Sequence, residues 1–330
     1  MLNSDSKTII LDTLQSYWGY SSLRSNQEGP VESLTSGSDT LAILPTGGGK
    51  SLCYQLPALC RGGMCLVISP LIALMEDQCD QLKRLGVKAE ALTSSLDAKG
   101  IDRVLENASI GKVDFLYLSP ERLEDQTLKA RSHKFNITTI VVDEAHCISQ
   151  WGHDFRPDFR KINTLRNQFP EAVWGAFTAT ATTQVVDDIC EQLQLKDFNV
   201  FKAPMRKENL IYHINNWGNP DVEIIKQAVK LSSDSPSDAG LIYVQSRALA
   251  DKFAQRLLAL GIKASSFHAG LNSNEKSRRQ KDWITGKTPV MACTSAFGMG
   301  IDKADVRWVL HYNVPSTLES FIQEVGRAGR

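Results

Sequence analysis

Short apolar runs alternate with longer amphipathic stretches along nearly all of the 330-residue chain. In the first part, the runs that fit buried strands are Thr40–Leu44, Met64–Ile68, Val113–Leu118, Thr139–Val142 and Val173–Phe177. Between them, apolar residues recur at helical spacing in Leu71–Leu85, Ile101–Ile110 and Thr183–Leu193. This alternation predicts an α/β fold, in which helices cover both faces of a mostly parallel sheet.

A second alternation follows a break. Between Lys202 and Asp221 the pattern loosens, with Pro204, Gly218, Asn219 and Pro220 as breakers. New strands are then expected at Leu241–Val244, Ala264–Phe267, Val290–Cys293 and Val306–His311, and Ser232–Asp238 is expected to be a surface loop. Because the chain is also long for one open α/β domain, we predict two lobes, residues 1–205 and 206–330.

The two halves share a short join. Leu85-Gly86-Val87-Lys88-Ala89 and Leu260-Gly261-Ile262-Lys263-Ala264 each follow a predicted helix, whose end the glycine would cap. Five residues can recur by chance, but the similarity agrees with a duplicated α/β unit. Two such lobes side by side would form a cleft, and ligands of parallel sheets bind beyond the carboxyl ends of the strands.

The composition bears on the ligands of the protein and on its cellular compartment. The chain has 37 basic and 37 acidic residues, so any contact with nucleic acid must come from a local groove. Its seven cysteines are odd in number and form no C-x-x-C pair, which favours small core residues in a reducing cytoplasm over zinc or disulfides. We find no secretory signal and no apolar run near the roughly 20 residues that span a bilayer, so a soluble protein is expected.

The strongest motif is Pro45-Thr46-Gly47-Gly48-Gly49-Lys50-Ser51, between a predicted strand and a helix expected from Leu52. This is the setting that a phosphate loop requires, although Leu44 stands where the strict pattern has its first glycine. The glycines allow backbone N–H groups to surround an anion. Lys50 would reach the β- and γ-phosphates, and the Ser51 hydroxyl would bind Mg²⁺.

Asp143-Glu144-Ala145-His146 follows the predicted strand Thr139–Val142. Alone, an acidic pair after a buried strand is most often a solvated turn. Beside a phosphate loop, Asp143 is the candidate Mg²⁺ ligand, and Glu144 is placed to orient or deprotonate an attacking water.

From these residues the chain resembles the superfamily-2 helicases that carry an Asp-Glu-Ala-His box, and further stretches are similar to the RecQ group. Gly19-Tyr20, Leu23-Arg24 and Gln27 resemble the adenine-reading segment of that family. The resemblance implies that Tyr20 stacks on the base, that Gln27 hydrogen-bonds its edge and that Arg24 supports the site.

The segment Ala145–Pro157 resembles the aromatic-rich loop with which RecQ enzymes sense single-stranded DNA. Trp151 and Phe155 offer flat faces for bases, Arg156 can stack or bind phosphate, and His153 lies between them. The alternative is that these rings pack between helices. Gly152 and Pro157 interrupt regular structure, which favours a loop.

Further stretches match the family in order. Ser69-Pro70-Leu71-Ile72-Ala73-Leu74 resembles a segment that touches the DNA backbone, and Phe177–Thr182 one that links hydrolysis to lobe movement. Tyr243–Arg247, Phe267–Gly270 and Thr294–Asp302 resemble second-lobe motifs, which implies a ribose contact for Asp302 and a DNA contact for Thr294. Gln323–Arg330 resembles the arginine-finger motif, which implies that Gln323, Arg327 and Arg330 act at the γ-phosphate.

The resemblance implies two RecA-like lobes that use ATP and Mg²⁺ to move 3′→5′ on single-stranded or forked DNA, as a monomer, in repair and recombination. A motor acting on RNA or protein, and a nucleic-acid-binding fragment with little ATP turnover, stay open as alternatives. RecQ proteins usually continue from the arginine motif into a four-cysteine zinc module and a winged helix. Here the sequence stops on the motif, so we expect no zinc, an incomplete second lobe, weak hydrolysis and little unwinding.

Overall fold

The computed structural model describes residues 4–93, 96–152, 154–205, 207–235, 237–297 and 303–329. The chain forms two compact units, Met1–Met205 and Arg206–Arg330. The helices that the structure describes include none that is both long enough and apolar enough to cross a membrane.

The first unit is built on a parallel sheet with the strand order β3-β4-β2-β5-β6-β1-β7. Its strands are β1 Thr40–Ile43, β2 Met64–Ile68, β3 Ala89–Leu92, β4 Phe115–Leu118, β5 Ile137–Asp143, β6 Val173–Thr178 and β7 Asn199–Lys202. Its α-helices are α1 Ser4–Trp18, α2 Ser25–Thr35, α3 Lys50–Arg61, α4 Ile72–Arg84, α5 Ala98–Ser109, α6 Gln126–Ser132, α7 Thr164–Gln168 and α8 Thr183–Gln192.

Both faces of this sheet are buried. Leu41 and Ile43 pack into one apolar cluster, whereas Ala42 between them packs into the other. Because neighbouring side chains in a strand point to opposite faces, two clusters separated in this way mean that helices cover the sheet on both sides. The predicted α/β architecture is confirmed for this unit.

The structure adds two strands that the sequence pattern did not reveal, β3 and β7. Both lie at edges of the sheet and are short. In β7 three of the four residues are exposed, so it lacks the apolar run by which the inner strands were recognised.

The second unit has a smaller parallel sheet with the order β11-β8-β10-β9. The strands are β8 Ala239–Tyr243, β9 Ala264–Phe267, β10 Val290–Cys293 and β11 Val306–His311; the helices are α9 Pro220–Asp234, α10 Arg247–Ala259, α11 Ser273–Ile284 and α12 Leu318–Val325. Leu241 and Ile242 belong to different apolar clusters, so this sheet also has two buried faces.

One expectation about the start of this unit was wrong in part. Pro220, one of the predicted breakers, is the first residue of α9, because proline fits the first helical position, where its missing N–H is not needed. The helix then continues through Asp234, so the predicted loop at Ser232–Asp238 is helical in its first three residues.

The repeated helix–glycine joins have the same geometry in both units. Gly86 and Gly261 adopt φ of 81° and 82°. After each glycine, the next N–H (Val87 or Ile262) donates to a carbonyl in the last helical turn, of Leu82 or Leu257. This is the hydrogen bond of a Schellman cap, so the glycine caps that the sequence predicted are confirmed.

A buried ion pair holds the amino ends of the strands in the first unit. Asp39, just before β1, accepts hydrogen bonds from Arg166 Nη2 at 2.7 Å, from the Trp174 backbone N at 2.8 Å and from the Lys196 backbone N at 2.8 Å. The Arg166 guanidinium also lies 4.3 Å from the centre of the Trp174 ring. Asp39 therefore ties β1, β6 and the segment before β7 together.

We expect Asp39→Ala to lower the free energy of unfolding by about 3–5 kcal/mol, because it leaves the Arg166 charge buried without its partner. The measurement is chemical denaturation followed by tryptophan fluorescence. Asp102→Ala is the matched control, since it removes a surface pair with Arg131 and is expected to cost less than about 1 kcal/mol. Equal losses in the two variants would contradict this role of Asp39.

Candidate functional site

The phosphate-loop sequence forms a tight turn between β1 and α3. Gly47 and Gly49 adopt φ of 79°, a left-handed conformation that only glycine enters without strain. Helix α3 begins at Lys50 rather than at the predicted Leu52, with Gly49 as its N-cap. Lys50 and Ser51 therefore lie in the first helical turn, where backbone N–H groups lack helical partners and favour an anion. Thr46 is half-buried in the loop.

Helix α2 supports this loop from outside. Arg24 Nη1 donates to the Gly47 carbonyl at 3.0 Å, and the buried Gln27 amide lies 3.4 Å from the Gly48 carbonyl. Asn26, which the sequence analysis did not select, contacts the same carbonyl at 3.4 Å. Tyr20, in contrast, is exposed beside α2. The structure thus brings Arg24 and Gln27 to the loop, and the contact of Tyr20 with a base stays a prediction.

The acidic pair lies at the carboxyl end of β5, with Asp143 as the last residue of the strand and Glu144 just after it. Lys50 Nζ lies 3.1 Å from Glu144 Oε1, in a pair that is mostly shielded from solvent. The Glu144 backbone N–H donates to Asp143 Oδ1 at 3.0 Å, and Glu144 itself adopts φ of 50°. Burial raises the pKa of Asp143 to about 6, although the Lys50 charge acts in the opposite direction. The lysine of the glycine-rich loop and the two acidic residues therefore lie next to one another.

A contact that sequence reasoning missed links Glu144 to β6. His146 Nδ1 lies 3.4 Å from Glu144 Oε2 and 2.9 Å from Thr178 Oγ1. Because the Thr178 hydroxyl donates to the Thr180 carbonyl at 3.0 Å, the proton between histidine and threonine belongs on Nδ1. The acidic motif and the segment Phe177–Thr182 are thus joined by a buried polar chain.

The predicted aromatic-rich loop is only partly open to solvent. Trp151 is 65% exposed. Phe155 is half-buried, with the Arg160 guanidinium 5.2 Å from its ring centre. Trp151 therefore offers a free face, as the loop interpretation requires, whereas Phe155 already has a cation on its ring. His153 lies outside the described residues.

Arg156 connects this loop to the segment after β2. Its Nη2 lies 3.1 Å from Asp154 Oδ2, and its Nη1 donates to the Pro70 carbonyl at 3.1 Å. The Ser69 side chain is buried, and its hydroxyl has no hydrogen-bond partner among the described residues. The structure therefore places Pro70 and Arg156 together on this surface but keeps Ser69 beneath it.

In the second unit the predicted residues follow strand ends or lie on α12. Thr294 follows β10 and is half-buried, with its N–H on the Phe267 carbonyl at 3.1 Å. Gln323 is half-buried on α12, and Arg327 just after that helix is only 4% exposed. Asp302 and Arg330 lie outside the described residues.

Comparison with known proteins agrees with these motifs. Residues 24–189 match the DEAD/DEAH box helicase family, and residues 221–330 match the helicase conserved C-terminal domain. The chain is 40% identical over 325 residues to the probable ATP-dependent DNA helicase RecS of Bacillus subtilis, across 98% of this chain and 65% of that protein. It is 39% identical to the ATP-dependent DNA helicase RecQ of Haemophilus influenzae, across 98% of this chain and 52% of that protein.

A solved structure shows the same fold. The crystal structure of the DUF1998 helicase MrfA bound to DNA superposes with a TM-score of 0.79 at 17% identity, covering 100% of this chain and 50% of MrfA. The two parallel-sheet units are thus those of RecA-like helicase folds. The chain spans between half and two thirds of the length of the two curated relatives.

Substitution of Gly49 by alanine tests whether the glycine-rich loop binds nucleotide. A Cβ there would overlap the Gln27 amide in addition to meeting a left-handed backbone. Gly86, with a similar φ, has no atom within 4 Å of a Cβ, so Gly86→Ala carries the backbone strain alone. We expect Gly86→Ala to lose about 1–2 kcal/mol of stability and Gly49→Ala to lose more, and we expect only Gly49→Ala to lose the rise in melting temperature on addition of Mg²⁺ and ATP. An unchanged rise in Gly49→Ala would contradict the assignment of the loop.

Proposed function

The chain belongs to the DEAD/DEAH box helicase family, and we propose that it is a RecQ-type DNA helicase core that hydrolyses ATP to move 3′→5′ along single-stranded DNA. The observation that carries this proposal is the contact between Lys50 and Glu144 beside the buried Asp143. This contact brings a lysine of the glycine-rich loop and two buried carboxylates together at one end of one sheet.

ATP fits this end of the sheet. The left-handed glycines turn the loop backbone, and the start of α3 adds partial positive charge, so the loop N–H groups and Lys50 are proposed to hold the phosphates. Tyr20, Arg24 and Gln27 are proposed to hold adenine, and Asp302 to contact the ribose. Thr46, Gly47, Gly48 and Gly49 form the turn itself.

Mg²⁺ fits the same place through Ser51 and Asp143. A carboxylate whose pKa is raised by burial lacks enough compensating charge, and a divalent cation is the group that would supply it. When bound, the ion would neutralise charge on the phosphates. The hydroxyl of Ser51 and the carboxylate of Asp143 are the hard oxygen ligands that Mg²⁺ prefers.

Glu144 is proposed to orient and deprotonate the attacking water. In the structure Lys50 neutralises Glu144, and phosphate oxygens would compete for the same ammonium group. Transfer of Lys50 to phosphate would leave Oε1 of Glu144 open to water, while His146 stays beside Oε2. Gln323, Arg327 and Arg330 are proposed to stabilise charge on the γ-phosphate.

Single-stranded DNA is the proposed polymer. Trp151 and Phe155 would stack on bases, and Arg156, with His153, would bind phosphate or stack. Pro70, held by Arg156, and Thr294 of the second unit are proposed to line the backbone of the strand. Ser69 lies beneath this surface and is proposed to support Pro70 rather than to touch DNA. Because Arg156 is paired with Asp154, a DNA phosphate would replace that carboxylate.

We expect Lys50→Ala to lower the rate of ATP hydrolysis by a factor of at least about 10²–10³, because charge on the phosphates loses a positioned cation. The measurement is steady-state ATPase activity with single-stranded DNA. Lys129→Ala, which removes an exposed lysine paired with Glu124, should keep the rate. Near-wild-type turnover in Lys50→Ala, with an unchanged melting temperature, would show that the phosphate-loop assignment is wrong.

The combined change of Trp151, Phe155 and Arg156 to Ala should remove the stimulation of hydrolysis by single-stranded DNA. Stacking contributes roughly 1–3 kcal/mol per base, which is enough to shift a conformational equilibrium. The readout is the ratio of ATPase rates with DNA, with RNA and with no polymer. Phe198→Ala, which removes an exposed ring outside the loop, is the control. If DNA stimulated the triple variant as strongly as the parent, these side chains would have a structural role instead.

A further inference from the structure

Arg327 is buried in the second unit with an unusual set of neighbours. Its guanidinium lies near the Tyr243 hydroxyl, and its positive charge opposes the rise in the Tyr243 pKa that burial causes. Arg327 Nε has no hydrogen-bond partner among the described residues. Because its Nε–H is buried without a partner in the part of the chain that the structure describes, the Arg327 guanidinium must be held in position by other groups if it is to meet an anion at a fixed place.

One such group acts through the helix. His311, the last residue of β11, donates from Nε2 to Glu324 Oε2 on α12 at 2.8 Å. The imidazole also stacks on Tyr243, with ring centres 5.4 Å apart and planes 13° apart, and it lies 5.6 Å from the Phe321 ring. These contacts with Glu324 and Phe321 restrain the rotation of α12 about its axis. They therefore also restrain the direction in which the chain leaves the helix towards Arg327.

A second set of contacts holds the turn after the helix. Lys207 Nζ donates to the Gly326 carbonyl at 2.7 Å and to the Ala328 carbonyl at 3.1 Å, on either side of Arg327. Asn209 Nδ2 donates to the Gly329 carbonyl at 2.9 Å. The donors are some 120 residues distant in sequence from these carbonyls. Three bonds to the backbone of one turn fix its path without involving any of its side chains.

The turn also packs closely against Asn209 and Leu210 at Gly329. This glycine has φ of 69°, and a Cβ there would come within 2.9 Å of both Asn209 Oδ1 and a Leu210 methyl group. Asn209 and Leu210 therefore pack closely against the turn, although the sequence pattern predicted only a loose connection in this segment.

We propose that Lys207, Asn209 and His311 form a clamp that positions Arg327 for hydrolysis. They are positioning residues, since their hydrogen bonds go to the backbone of the turn or to Glu324 and not to the Arg327 guanidinium. This inference rests on the proposed function, in which Arg327 stabilises charge on the γ-phosphate. A misplacement of about 1 Å at a catalytic group can cost on the order of 100-fold in rate, so a clamp of this kind would act on kcat.

Lys207→Met tests the turn side of the clamp, because it keeps the length of the side chain and removes the ammonium group that donates to both carbonyls. We expect kcat for DNA-dependent ATP hydrolysis to fall about 10- to 100-fold, with KM for ATP and the melting temperature unchanged. Lys207→Arg, which keeps donors, should retain most of the rate. Lys226→Met, which removes an exposed lysine of α9 paired with Glu223, is the control and should match the parent.

His311→Phe and His311→Gln test the helix side. The phenyl ring keeps the stack on Tyr243 and loses the donor, whereas the glutamine amide can restore a donor to Glu324. The expected result is a loss of kcat in His311→Phe that His311→Gln reverses. If Lys207→Met lowers the melting temperature, Asn209→Asp decides instead, because it removes one donor without changing the size of the side chain.

A coupled variant separates positioning of Arg327 from a general structural role. If Lys207 acts through Arg327, the loss caused by Lys207→Met should shrink in an Arg327→Lys background. A loss of full size there, or parent-like kcat in Lys207→Met, Asn209→Asp and His311→Phe, would overturn the clamp and leave the proposed function intact. A parent protein that hydrolyses no ATP with DNA would overturn both.

Discussion

The ion pair between Lys50 and Glu144 depends on the order of strands more than on any local feature. The two residues are 94 positions apart in sequence, and they follow β1 and β5, which are separated in the sheet by β6. β1 and β5 are therefore two strand spacings apart, about 10 Å, and the loop after β1 brings Lys50 to Glu144. The site therefore exists because parallel strands bring their carboxyl ends to one end of the sheet. At the other end, the Asp39 network ties β1 to β6, the strand that lies between β1 and β5.

Sequence reasoning recovered the parts of this arrangement that carry a local pattern. The buried strands were found because each is a continuous apolar run, and the phosphate loop because its glycines satisfy a backbone requirement that few sequences meet. The same reasoning missed β3 and β7, because these edge strands are only partly buried in β3 and mostly exposed in β7, so neither is a continuous apolar run. It also placed the helix boundary two residues late, since the glycine N-cap offers no side chain by which to recognise it.

What could not be predicted was pairing between distant residues. His146 and Thr178 contact each other only because β5 and β6 are neighbours in the sheet. Lys207 looks like an ordinary solvated lysine in the sequence, and its carbonyl partners carry no signal there because every residue has a carbonyl. Family resemblance pointed to Arg327 but gave no reason for its burial, which comes from Tyr243 and the turn around it.

The two basic side chains that are proposed to bind phosphate, Lys50 and Arg156, are each paired with a carboxylate in the structure, and both carboxylates lie in the segment after β5. Lys50 pairs with Glu144, and Arg156 pairs with Asp154 only ten residues further along. Cys147 lies between the two pairs, with its sulfur 3.8 Å from His146 Nε2 and 3.8 Å from Asp154 Oδ2. A phosphate that binds either cation would therefore replace its carboxylate partner, so the local charge balance would change little. The released carboxylate would still contact a buried residue, which is His146 for Glu144 and Cys147 for Asp154. If the proposed assignments hold, these contacts would give bound nucleotide and DNA a short physical route by which each could influence the other, in a chain whose balanced overall charge provides no general attraction for a polyanion.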